Sequence, residues 1–553
     1  MMKRISSFLL MACLLPLPAL AAIEIHGHIK TATGQAPALA HVHLTEIGGT
    51  YLRPMRTLQA DRSGDFTLEI AKPGPYLLWV TAVDHHLASV PLLLEQAEER
   101  VEFTMTLAPY PYKEAFDEVK IIGDWNNFDF GTAETMQKQP DGTFTYDVSI
   151  DADTVAYQLL GITVGERSIN GTMSERFVYD GGGDYRSVVK TEHGHAHIVF
   201  QPQKLYRAKD VTLPRVAFKD NERLAAAYRV YRLFIDGVEK FQRAAATYHD
   251  VHGDLTGFKF DFPAIRSELE QTMHESPYRE VRELAAVYLV ELPLYDTKLR
   301  PSDMPYREMF ELLGPASPMW AIAPTYLVST ASAVDKEHPE TILQQFVDQN
   351  PDRRVQAAAL STMLGRAAHQ KDTSRVHELY ARLKTEYGDV EEIKYVLQRY
   401  DPDRHILAGK PVPPFEVKLM GSDEVVSNKT LLGKYYLLDF WATWCGPCVA
   451  EMGNLHAAYE KFKGSNFELI SFSFDGSPEK VAKFRQKKWR MPWKHVFVGG
   501  GFDSDIAKRF EVFGIPKPIL VGPDGTILAV EGDLRGENLE QTLTRFLGSH
   551  ASK

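Results

Sequence analysis

Cysteine is nearly absent from this chain: three residues in 553, at positions 13, 445 and 448. That scarcity excludes a framework of structural disulfides, the staple that exported proteins commonly use. It also argues against a zinc site built on paired cysteines, because no second pair exists. Positive charge is in short supply as well. Lys and Arg number 62 against 73 Asp and Glu, a net charge of −11, and no basic patch stands out. Nothing in that pattern suggests a nucleic-acid partner. After residue 22 no apolar run reaches the ~20 residues that a membrane-spanning helix needs.

What is present points to an exported, multidomain chain. At roughly 150 residues per domain, the length suggests three or four domains, and 44% hydrophobic residues allow sizeable cores. Lys3 and Arg4 precede an apolar run over 8–22 that contains Ala19-Leu20-Ala21. This predicts a secretory signal peptide over 1–21, and with it a periplasmic or cell-envelope location. Two other readings share these residues: an uncleaved membrane anchor, and lipidation of Cys13 within Leu10-Met11-Ala12-Cys13, where Met11 is unusual. Cleavage near Ala21 leaves only Cys445 and Cys448, so the one intramolecular disulfide available joins them.

Residues 22–107 read as short strands. Phe66, Leu68 and Ile70 alternate after the turn Asp61-Arg62-Ser63-Gly64, and 76–83 and 101–107 follow as further strands, so an all-β sandwich is expected. The turn and the step from Pro73 to Tyr76 resemble a carboxypeptidase regulatory-like domain, which implies a non-catalytic spacer or adhesion module. Residues 108–205 predict a second β-sandwich. Gly123-Asp124-Trp125-Asn126-Asn127-Phe128, with Met136 and Asp141-Gly142, resembles an early-set, glycogen-binding type of module. The resemblance implies that Trp125 or Phe128 stacks on sugars; the simpler reading has both rings plugging the end of the sandwich. His193, His195 and His197 are expected along one strand face, and His26/His28 and His41/His43 repeat the spacing. Imidazoles suit zinc or copper, yet residues two apart on a strand share a face by geometry alone, and no acidic or Cys partner accompanies them. No metal or other cofactor is called for.

From 206 to 404 the apolar period becomes helical, with Leu224, Tyr228, Tyr231, Phe234, Ile235, Val238 and Phe241 marking one long helix. Ile265, Leu269 and Met273, then Val281, Leu284, Tyr288 and Leu289, mark two more. A helical domain of loosely repeated hairpins is expected, as a spacer or dimerisation surface or as a client-binding groove. Pro411-Val412-Pro413-Pro414-Phe415 reads as a stiff linker into a last domain over 405–553.

The densest chemistry lies in that last domain. The apolar run 437–444 predicts a buried strand that stops at Cys445-Gly446-Pro447-Cys448, and Met452, Leu455, Tyr459 and Phe462 then recur at helical spacing up to Gly464. Cys445 is thus expected at a helix N-terminus, where unpaired N–H groups and the helix dipole favour a thiolate. Cys448 follows one turn on. A covalent haem would want His after Cys448, where Val449 stands.

Trp444-Cys445-Gly446-Pro447-Cys448 resembles the active-site stretch of thioredoxin-fold thiol–disulfide oxidoreductases. Gly514-Ile515-Pro516 is similar to that family's cis-proline loop, and residues 520–528, turning at Pro523-Asp524-Gly525, to the hairpin after it. The pattern, with Glu451 after Cys448, is most similar to the TlpA/ResA-like branch. The resemblance implies an α/β thioredoxin fold in which Cys445 attacks, Cys448 resolves and buried Asp439 accepts a proton. It also implies that Glu451 tunes the thiols, although the same spacing fits an exposed helix carboxylate. Ile515 and Pro516 would dock the substrate backbone beside Trp444. Protein disulfides are the implied substrates and a membrane thiol transporter of the DsbD/CcdA kind the implied electron donor. The sequence departs from the pattern at Gly453, where a helix-kinking proline is usual, so a straighter or looser helix is expected. Lys517-Pro518 replaces a small hydroxyl pair, and no lysine on 467–475 is available to pair with Asp439. The expected function is reduction of disulfides in other cell-envelope proteins. The rival readings are a glycan- or envelope-binding protein with an accessory redox domain, and a thiol peroxidase.

Overall fold

The computed structural model describes residues 23–95, 100–164, 174, 176–207, 213–252, 255, 257–334 and 338–548. The expected signal peptide over 1–21, Cys13 included, lies outside the described residues. The chain divides into two compact units, Met1–Thr362 and Met363–Lys553.

In the first unit the period-two pattern becomes strand Asp65–Ile70, with Phe66, Leu68 and Ile70 buried and the residues between them exposed. It pairs antiparallel with Ile23–Lys30, which in turn pairs parallel with Arg100–Thr106. A second four-stranded sheet runs Arg56–Gln59, Ala40–Glu46, Gly74–Ala82, Ala88–Leu94. Strand Arg215–Phe218, which falls where helix was expected to begin, instead joins the first sheet beside Arg100–Thr106. The reason is a tertiary contact: Phe218 packs against Phe103, with ring centroids 5.6 Å apart.

Residues 120–200 build a three-stranded and a five-stranded sheet. Trp125 stacks on Tyr146 at 5.2 Å, its Nε1 donates to Glu134 Oε1 at 2.9 Å, and the Arg186 guanidinium sits 3.7 Å over the Phe128 ring. Gly123 is required beneath Trp125, because a Cβ there would lie 2.1 Å from the indole. Both rings are therefore engaged by the protein itself. His195 and His197 share the exposed face of one strand as expected, but His193 does not join them. The strand begins at His195, and His193 sits in the left-handed turn before it, at φ 53°. His197 pairs with Asp147 at 2.7 Å, and His41 and His43 are buried, hydrogen-bonded to Tyr185 and to Thr57 and Thr81. Among the described residues no group of three or more His, Cys, Asp or Glu is arranged to hold a metal ion.

The expected long helix spans Glu222–His252 and is followed by Pro263–Glu275 and Arg279–Glu291. Phe234 of the first stacks on Tyr288 of the third at 4.3 Å. No described helix is long and apolar enough to cross a membrane.

The second unit is built on a five-stranded sheet in the order Lys494–Phe497, Phe467–Ser473, Tyr435–Trp441, Lys517–Val521, Ile527–Val530. The first three are parallel and the last two antiparallel. Tyr435–Trp441 is central and buried along nearly its whole length, as a continuous apolar run requires. Phe440, Phe472 and Phe510 are fully buried in the core around it. The hairpin turn puts Gly525 at φ 83°, a conformation that favours glycine. The expected boundary at 405 falls inside this unit, and the proline-rich segment is not a free spacer. Gly409 and Val412 donate to the carbonyls of Ile527 and Gly525 at 2.8 and 2.9 Å, so the segment is laid along the hairpin.

Candidate active site

The central strand ends at Trp441, and two residues later Thr443 turns the chain by hydrogen-bonding Asp475 through both its N–H and its hydroxyl. Cys445 follows as the N-cap of helix Gly446–Ala450, and its Sγ accepts from the Cys448 N–H at 3.2 Å. Cys445 and Cys448 are joined in a disulfide. The pair is asymmetric: Cys445 keeps 5% of its surface and Cys448 1%. The Ile515–Pro516 bond is cis. Its loop brings the Ile515 carbonyl oxygen to 3.7 Å from Cys445 Sγ. The loop thus lies against the first cysteine, the more accessible of the two.

Asp439 lies on the central strand, fully enclosed. Burial pushes its carboxyl up to about 7, opposed by a hydrogen bond from Ser471 and reinforced by the charge of Glu451. Ser471 stands directly opposite in the parallel register and donates to Asp439 Oδ2 at 3.0 Å. Trp493 Nε1 donates to Ser471 Oγ at 2.9 Å. Across the other edge Asp439 faces Pro518, which offers no N–H. Glu451 is not a free surface carboxylate. Its Oε2 accepts from the Gly536 N–H and from Asn454 Nδ2, both at 2.9 Å, and its Oε1 lies 3.7 Å from Arg535 Nε. The helix after the cysteines is interrupted at Glu451, between Gly446–Ala450 and Met452–Phe462. Of the two outcomes expected from Gly453, a straighter or a looser helix, the break fits the looser one.

The thioredoxin-like family profile matches residues 433–527, the stretch that carries this site. The chain is 30% identical over 146 residues to the thiol–disulfide oxidoreductase ResA of Oceanobacillus iheyensis, covering 25% of this chain and 73% of that protein. To ResA of Bacillus thuringiensis subsp. konkukian it is 29% identical over 139 residues, 25% and 76% of the two chains. A solved thioredoxin domain of a thiol–disulfide oxidoreductase from Bacteroides vulgatus is 30% identical, covering 26% of this chain and 98% of that one, at a TM-score of 0.24. The chain belongs to the thioredoxin-like thiol–disulfide oxidoreductases.

In this oxidoreductase the residues singled out by sequence, Cys445, Cys448, Asp439, Glu451, Trp444, Ile515 and Pro516, all fall in the second unit. Trp444 is 58% exposed and borders Phe502, itself 41% exposed. The two rings, 6.4 Å apart, form an open aromatic rim. Sequence reasoning missed Ser471 and Trp493, the partners that replace a lysine behind Asp439. A serine inside the otherwise apolar run 469–472 was the one signal for them. It also missed Arg535 and Gly536, some 85 residues from Glu451, for which local sequence carries no signal.

Proposed function

We propose that this oxidoreductase is exported and reduces disulfides in other cell-envelope proteins. The Cys445 thiolate attacks one sulfur of the client disulfide, and the other client sulfur leaves as a thiolate that takes up a proton. Cys448 then loses its proton to the Asp439 carboxylate and attacks Cys445 Sγ. The client's second thiolate leaves, and two electrons have passed from the protein dithiol to the client. Asp439, held near neutrality by its burial, suits a group that must accept and later return a proton. Glu451 adds negative charge beside the pair and so opposes a second anion there. A client segment would lie along Ile515 as an added strand, against the rim of Trp444 and Phe502. In an oxidising compartment the dithiol must be regenerated, in this reading by a membrane thiol transporter of the DsbD/CcdA kind. The sheet-rich regions upstream, read as carboxypeptidase regulatory-like and early-set modules, serve as non-catalytic parts of the chain.

The observation that carries the reading is the contact of Cys445, and not Cys448, with the cis-proline loop. Cys448→Ser should accumulate client proteins in mixed disulfides through Cys445 in the native compartment. Recovery of the same adducts from the Cys445→Ser protein would refute the assignment.

A further inference from the structure

A cleft of about 160 Å³ opens beside the cis-proline loop, lined by Gly514, Ile515 and Pro516 on one side. Its other walls are charged. Arg399 and Arg404 come from the segment before the redox sheet, Lys517 follows the cis-proline directly, and Arg535 closes the end. Two carboxylates line the same space, Glu511 and Glu531. They do not neutralise it. Glu511 is occupied by the backbone N–H groups of His405 and Ile406, at 2.9 and 3.4 Å. Glu531 is shared by three cations, at 3.7 Å from Arg399, 3.7 Å from Arg404 and 4.0 Å from Lys517, each beyond hydrogen-bond length. Even with Glu451 counted against Arg535, four cations face three anions.

Two buried donors in the walls of this cleft lack acceptors. Arg404 is 9% exposed, and its Nε has no hydrogen-bond acceptor, the nearest carboxylate oxygen being Glu511 Oε2 at 3.8 Å. Arg535 Nε is buried without an acceptor as well. A buried guanidinium N–H without a partner is costly, and a carboxylate is its best complement. Burial also pulls the Lys517 ammonium down to about 8, as expected of a cation that its surroundings under-compensate.

We infer that this cleft is a specificity subsite for a carboxylate of the docked client, an Asp or Glu side chain near the attacked cysteine. The inference rests on the disulfide-reductase reading. A client strand paired along Ile515 sends alternate side chains to opposite faces, and the face toward Gly514 and Lys517 meets the cations. Arg399, with 45% of its side chain exposed, stands at the mouth, where an incoming carboxylate reaches it first. Lys517-Pro518, a departure from the usual pattern at the docking loop, is then part of a recognition site.

The test uses the full chain, reduced and freed of reductant, and pairs of short peptides with one internal disulfide. Each pair differs only by Glu or Gln at one position flanking the cysteine, each flanking position being taken in turn. Single-turnover reduction should be about three- to tenfold faster for the Glu peptide at one position, the range expected of a partly exposed charged hydrogen bond. The ratio should fall toward one in 1 M salt, where screening is strong, and in Arg399→Gln, whose fold circular dichroism checks. Equal rates for Glu and Gln at every position, or a preference that Arg399→Gln leaves unchanged, would overturn the subsite while leaving the reductase reading standing. Failure to reduce any peptide overturns both.

Discussion

Ser471 Oγ donates to Asp439 Oδ2 at 3.0 Å across adjacent parallel strands. The buried carboxylate of this oxidoreductase is therefore steadied by a neutral hydroxyl, itself fixed by the Trp493 indole, and no cation shares the space behind it on that strand.

In the proposed mechanism that relationship sets the pH at which Asp439 accepts its proton. The Ser471 bond favours the ionised form and opposes the upward push of burial. Ser471→Ala should raise the Asp439 pKa further, by up to about one unit. The midpoint of the pH profile for resolving a Cys445 mixed disulfide should move up with it. Asp439→Asn should slow that step by about 100-fold or more, in the range of general base catalysis, and flatten its pH profile. Rapid-quench measurement of mixed-disulfide decay from pH 5 to 9 reads both.

The same group makes stability depend on pH. The folded pKa of about 7 lies above the ordinary 3.8, so the folded state holds the proton more tightly than the unfolded chain does. Stability from this group is full below about pH 4 and is lost as pH rises through about 7. A shift of this size corresponds to roughly 4 kcal/mol as an order of magnitude. Asp439→Asn should therefore raise the thermal midpoint of the second unit at pH 8 and have little effect at pH 4. Calorimetry at the two pH values decides, and equal effects at both would count against the linkage.

The cysteines should differ in reactivity as they differ in burial. In the reduced protein, limiting iodoacetamide should label Cys445 well before Cys448, as mass spectrometry of the peptides would show. Labelling in the opposite order would reverse the assignment of attacker and resolver.

Electron flow should run outward. Asp439 and Glu451 both oppose a second negative charge near the pair, which disfavours the dithiolate and so the reduced form. By analogy with thioredoxin the potential should be on the order of −250 mV or lower. Equilibration against glutathione or dithiothreitol buffers measures it. A value near about −120 mV, that of a strong disulfide donor, would make the protein an oxidant.

A fragment beginning at residue 363 should fold with a higher thermal midpoint than one beginning at 405. The shorter fragment loses Arg404, whose guanidinium bonds the carbonyls of Arg399 and Ile406 and lies near Glu511 and Glu531. A loss of several degrees fits removal of a buried, hydrogen-bonded charge, which costs about 3–5 kcal/mol. Matching midpoints by circular dichroism would place the true boundary at 405.

The sequence by itself determined the site's covalent chemistry and its local frame. An apolar run ending in two cysteines, followed by helical spacing, is enough to set a strand, a turn and a helix start, because each depends on residues within a few positions. The same holds for the hairpin at Pro523-Asp524-Gly525 and for the long helix from Leu224. Only the tertiary structure decided what surrounds those parts. That Ser471 stands behind Asp439 follows from the register of two strands some 30 residues apart. Glu451 meets Arg535 and Gly536, and Arg404 meets Glu531, across longer separations still, and Arg215–Phe218 left the helical region to complete a sheet begun at Ile23. Such pairings are fixed by which faces bury together when the chain closes, and no local period in the sequence records that choice.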